Sequence, residues 1–145
     1  MRQALALPVV LAAGLWGGVE ASAQQNPFVG SWRGVANVYG RAITFNLVMG
    51  PDQRYSEQQV MGPYMTMQTG RYVFPAQGVL GFEVEDWQPR TQPVFHPSGS
   101  VGGYTSQEPV AKPPGGVFRF QFASPHSFTL QDVNLGGTIT FNRVR

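Results

Sequence analysis

The chain has 145 residues, 12 % of them charged, a formal net charge of +2 and no cysteine. That length fits one domain. The small, dispersed positive charge excludes an electrostatic nucleic-acid footprint, and the lack of cysteine excludes disulfides, thiolate metal sites and an acylated cysteine anchor.

The first element in chain order is a leader. Arg2 supplies a positive start, an apolar run follows over residues 4–19, and Ala21-Ser22-Ala23 gives the small-x-small pattern that signal peptidase accepts. The run is shorter than the roughly 18–20 apolar residues that span a bilayer. Pro8, Gly14, Gly17 and Gly18 also interrupt it. The expectation is a secretory signal over residues 1–23 and one domain over residues 24–145, working in the periplasm or outside the cell with no membrane span of its own. Cleavage would leave 122 residues and, because Arg2 and Glu20 depart together, an unchanged net charge of +2.

No later segment keeps a 3.6-residue apolar period. Short alternating runs separated by Gly, Pro, Asn and Asp follow one another instead, the pattern of an all-β chain. Strands are expected over residues 28–39 and 41–49, with Gly40 suiting a tight hairpin between them. In the second, Ile43, Phe45, Leu47 and Met49 share one face. A turn at Pro51-Asp52 leads to a strand over 54–61, and Gly62-Pro63 turns the chain into another over 64–74. Pro75 to Gly78 makes a four-residue turn before a fifth strand over 79–87. Phe118, Phe120 and Phe122 mark the sixth, Phe128 and Leu130 the seventh, and Ile139 and Phe141 the eighth, with the last turn in 134–137.

Residues 88–116 break the series. This stretch holds six of the twelve prolines and five glycines, and its alternation is lost. A loop that long in a compact domain is a functional lid or a disordered segment, unless a short hairpin near residues 100–104 is hidden in it. Fast amide exchange is expected across it, since prolines donate no ladder hydrogen bonds.

Eight strands joined mostly by short turns leave two exposed edges when laid flat, and closing them into an up-and-down antiparallel barrel removes both. Such a barrel has room for packed side chains or one small ligand. A two-sheet sandwich is the other architecture this strand count allows.

At Gly30-Ser31-Trp32, with Arg143 near the end of the last strand, the chain resembles the lipocalin and calycin superfamily, in particular its short bacterial lipocalin-like domains. The resemblance implies that Trp32 closes the barrel floor and that Arg143 lies across its indole. Arg143 is in phase with Ile139 and Phe141, and an inward Arg needs such a partner. The chain departs from full-length lipocalins in its shorter length and in lacking the helix that packs on their barrels.

Chemistry-bearing residues are sparse. Glu83, Glu85 and Asp86 could form a paired-acid site, but the two glutamates are out of phase with Leu80, Phe82 and Val84 and should face water. His96 and His126 lie beside prolines without a metal-ligand spacing. Ser98 and Ser100 lack the setting of a nucleophile elbow. Met61, Met65 and Met67 are a soft-ligand group that could hold Cu(I), while Met65 and Met67 on one face suit gap-filling in the barrel. No catalytic residue, metal or cofactor is therefore expected. Phe45, Tyr55, Tyr72, Phe82 and Phe120 come from five strands and form the expected lining of a cavity, or simply a packed core. The expected function is non-enzymatic binding of a small apolar or amphipathic ligand. The alternative is a protein-interaction module, such as a periplasmic enzyme inhibitor, acting through residues 88–116.

Overall fold

The computed structural model describes residues 26–100 and 102–145, so the leader assigned to residues 1–23 lies outside the described residues. Ten strands follow in chain order: β1 (Gly30–Val38), β2 (Arg41–Met49), β3 (Arg54–Met61), β4 (Tyr64–Ala76), β5 (Val79–Gln88), β6 (Thr91–Pro97), β7 (Gly103–Pro109), β8 (Val117–Ser124), β9 (Ser127–Asp132) and β10 (Thr138–Arg143). Eight of them close into an antiparallel barrel in the order β1-β10-β9-β8-β5-β4-β3-β2, and β6 pairs only with β7. The barrel rather than the sandwich is the architecture. Closure comes from two seams: β1 on β10, where Trp32 sits opposite Arg143, and β5 on β8, where Leu80 sits opposite Phe118.

The alternation read from the sequence sets which way each strand faces. Trp32 lies opposite Leu47 and Gly34 opposite Phe45 across β1 and β2. Met49 lies opposite Tyr55, Leu47 opposite Glu57, and Tyr72 opposite Phe82 on the following pairs. Trp32, Leu47, Met49, Tyr55, Tyr72, Leu80, Phe82, Phe128, Leu130 and Phe141 form one buried core, joined by Phe28 from the segment before β1. Phe28 was expected within the first strand; it stands instead in a turn ahead of β1 and plugs the barrel end. The outer face carries the exposed side chains of Arg33, Arg71, Glu83, Glu85 and Arg119.

Two expectations are corrected. Residues 88–116 are not a featureless loop: the alternative of a hidden hairpin holds, in a longer form than the one expected near residues 100–104, with residues 91–97 and 103–109 antiparallel, Phe95 opposite Thr105 and His96 opposite Tyr104. Prolines 93, 97 and 109 are accommodated because a two-stranded ribbon has a free edge on each strand, where a missing N–H costs nothing. Met65 and Met67 do not fill the barrel. They are 52 % and 42 % exposed, since Tyr72 fixes the inward phase of β4 and the register runs Met65 to Val60 and Met67 to Gln58 on the outside.

Candidate functional site

The registers give the barrel two unlike ends. At one end lie the β2–β3, β4–β5 and β8–β9 turns and the segment 26–29. Here Phe28 packs edge-on against Phe120, Phe122 and Phe128, with ring centroids 4.9–5.0 Å away. Trp32 is 1 % exposed and packs edge-on against Phe128 at 4.6 Å. Its indole N–H donates to the Phe28 carbonyl oxygen at 2.7 Å. The Arg143 guanidinium carbon stands 4.1 Å from the Trp32 ring centroid. That guanidinium also donates to the carbonyls of Val29, Pro27 and Pro125 at 2.9–3.2 Å. It therefore ties the first strand, the last strand and the β8–β9 turn to one another. Gly30 permits this: its φ is +139°, and a Cβ there would come within 2.3 Å of the guanidinium. The Tyr72 hydroxyl donates to the Gly50 carbonyl at 2.5 Å and accepts from the Asn26 amide at 2.9 Å. This end is closed and its polar groups are paired.

The other end holds a cavity of about 340 Å³. Phe45, Phe82, Phe118 and Phe141 form its aromatic walls, with Leu130 and Ile139 beside them. Phe82 and Phe118 meet edge-on at 5.9 Å, and Phe45 and Phe141 at 6.3 Å. The volume lies in the range of small-molecule sites, at its lower end.

The polar lining is Glu57, Gln59, Gln68 and Asp132. One oxygen of Glu57 accepts from the side-chain amides of Gln59 at 2.6 Å and Gln68 at 3.3 Å. Burial pushes the Glu57 carboxyl above its ordinary range, and the hydrogen bond from Gln59 only partly opposes this. One Asp132 oxygen accepts the backbone N–H groups of Asn134 and Leu135 at 2.7 and 2.8 Å, which fixes the β9–β10 turn. Among the described residues lining the cavity there are two carboxylates and no Lys, Arg or His. Next to it, the Tyr55 ring packs on Phe82 at 4.8 Å, and the Tyr55 hydroxyl is buried without a hydrogen-bond partner. Burial first, and the nearby charges of Glu57 and Glu85 second, push that phenol well above its usual range.

A strap over residues 110–116 crosses this end and contributes Pro113, Pro114, Gly115 and Gly116 to the lining. It is pinned at both ends. Val110 N–H donates to Arg90 O at 2.8 Å, the Trp87 indole donates to Val110 O at 3.1 Å, and Phe82 N–H donates to Gly116 O at 2.9 Å. A Cβ on Gly115 would approach the Phe82 carbonyl oxygen to 2.2 Å, so only glycine lets the strap run this close to β5. Only this seven-residue strap of the 88–116 stretch lies over the cavity, while the β6–β7 hairpin stands off the barrel with Phe95 62 % and Tyr104 61 % exposed.

Of the five residues expected to line a cavity, Phe45 and Phe82 do so. Tyr55 lies in the core behind Phe82, and Tyr72 and Phe120 pack toward the closed end, each against Phe74 at 6.0–6.1 Å. The sequence reading missed Glu57, Gln59, Gln68 and Asp132. A signal was available: Glu57 and Gln59 continue the inward phase of Tyr55, and Gln68 that of Tyr72.

His96 was read as a lone loop residue. The hairpin brings its Nε2 within 2.9 Å of Ser106 Oγ and 2.8 Å of Glu108 Oε1. A Ser–His–acid relay needs two different ring nitrogens, one for the hydroxyl and one for the carboxylate. Here one nitrogen meets both, so the trio pins the two strands together and builds no nucleophile. Glu83 and Glu85 are exposed, and Glu85 pairs with Arg54 at 2.9 Å on the surface. Among the described residues no three His, Cys, Asp or Glu side chains gather as a metal-binding group, and no helix is long and apolar enough to cross a membrane.

A closed eight-stranded antiparallel barrel, plugged at one end and hollow at the other, is consistent with a calycin-like fold. No protein-family model matches the chain, and no curated protein matches it.

Proposed function

We propose that the protein is a lipocalin-like carrier, exported to the periplasm or beyond the cell, that binds one small amphipathic molecule in the open end of its barrel and performs no chemistry on it. The observation that carries this reading is the 340 Å³ cavity with four phenylalanine walls and a few grouped polar side chains. The Gly30, Trp32 and Arg143 constellation at the opposite end supports the lipocalin-like assignment. Native mass spectrometry of protein purified gently from its own host tests it. The expected result is an added mass of one small molecule per chain, lost in Ile139→Trp, which fills the cavity. A bare mass, together with no uptake of an apolar fluorescent naphthylamine, contradicts the reading. The same spectrum tests export, which predicts a chain starting at Gln24 or within a residue or two of it.

A second reading is favoured by one feature. The β6–β7 hairpin projects from the barrel with exposed Phe95 and Tyr104, as an inhibitory or docking arm would. Deleting residues 91–109 separates the two readings, because ligand uptake should survive the deletion while partner capture should not.

A further inference from the structure

From the chemistry of the open end, and resting on the ligand-binding reading above, we infer that the ligand carries a positively charged amine head, an alkylammonium, seated between the Glu57 carboxylate and the phenylalanine walls. Phe45, Phe82, Phe118 and Phe141 line the space a ligand would occupy, and an aromatic ring attracts a cation through its face. An aromatic lining that also holds a carboxylate offers the two attractions by which ammonium groups, quaternary ones included, are recognised.

The charge of the lining points the same way. Two carboxylates and no cationic side chain line the space among the described residues. A carboxylate taken out of water without a counter-charge is costly, and a protein usually answers with a paired cation. Here only the neutral amides of Gln59 and Gln68 reach Glu57, and both meet the same oxygen. An incoming ammonium would supply the missing counter-charge. An anionic head would face two like charges, so a fatty-acid-like carboxylate is disfavoured. Leu130 and Ile139, beside the rings, add aliphatic surface for an apolar tail, while Glu57 supplies the charge for the head.

Isothermal titration of the full mature chain with octyltrimethylammonium, octanol and octanoate, all at submicellar concentration, tests this. The three probes share one tail and differ in charge. The expected result is that the cation binds at least about tenfold more tightly than the alcohol, with the anion weakest. Glu57→Gln should bring the cation down toward the alcohol and leave the affinity for the alcohol nearly unchanged. Circular dichroism of the variant checks that the barrel is intact. Phe118→Leu, which removes one wall without touching any charge, should weaken the cation more than the alcohol. Octanol binding as tightly as the cation, or a cation preference that survives Glu57→Gln, overturns the inference and leaves the carrier reading standing. Failure of all three probes to bind overturns both.

Discussion

The two ends of this barrel are built from the same alternation of inward aromatics, yet they differ in how their polar groups are treated. At the closed end every notable polar group has a partner: the Trp32 indole on Phe28, the Tyr72 hydroxyl on Gly50 and Asn26, the Arg143 guanidinium on three carbonyls and an indole face. At the open end a half-buried carboxylate meets only neutral amides, and behind Phe82 the buried Tyr55 phenol meets nothing. Full pairing rigidifies, while incompletely paired polar groups cost stability. The closed end therefore holds the barrel together, and the open end carries the groups that cost stability in the free protein and suit a ligand. Stability and binding are assigned to opposite ends.

Substitutions can break or sharpen this contrast. The largest effect is expected from Trp32→Ala, which removes the largest fully buried side chain and should cost about 3–5 kcal/mol in denaturant unfolding. A small loss there would mean that Trp32 does not hold the closed end together. Arg143→Ala should cost less, about 1–2 kcal/mol, for the lost cation–π contact and the carbonyls it leaves undonated.

The two buried tyrosines make the sharpest pair. Tyr72→Phe removes a hydroxyl with two partners and should destabilise by about 1–2 kcal/mol, whereas Tyr55→Phe removes one with none and should stabilise by about 1 kcal/mol. Equal and opposite-to-expected shifts in thermal unfolding would erase the distinction between the ends.

The smallest expected effect is a pH dependence. Glu57 is raised by burial, so the folded chain holds its proton more tightly than the unfolded chain does. Its protonated form carries no penalty at acid pH. Stability is lost as pH climbs from the ordinary glutamate range, about 4.3, through the higher folded value. Glu57→Gln should flatten that limb and raise the unfolding midpoint at neutral pH. An unchanged profile would mean that the carboxylate is well solvated.

Much of this architecture is legible in the sequence because a strand's period of two ties phase to burial. The run from Ile43 to Met49 and the triplet Phe118, Phe120, Phe122 announce their inward faces directly. The resemblance carried by Gly30-Ser31-Trp32 and the in-phase Arg143 implies that these two residues meet, and the register places them opposite each other. Two parts were hidden for physical reasons. Hairpin β6–β7 pairs with nothing else, so no buried face imposes alternation on it, and its prolines read as loop. In β4 the methionines look like core, but residue type alone does not set phase, and Tyr72 overrides them. The cavity's polar side was missed for a related reason. Glu57, Gln59 and Gln68 sit at inward positions where an apolar residue is the norm, and a search for aromatics passes over them. A polar residue that keeps the inward phase is the signal to look for.

The division of labour between the ends is tested most directly by backbone amide shifts recorded during a titration with octanol, a neutral probe that makes no demand on the charge of the site. The account predicts saturable changes at Phe45, Glu57, Phe82 and Phe118 and along residues 113–116, with Phe28, Trp32 and Arg143 unmoved. Changes centred on Phe28 and Trp32, or no saturable change anywhere in the barrel, would contradict it.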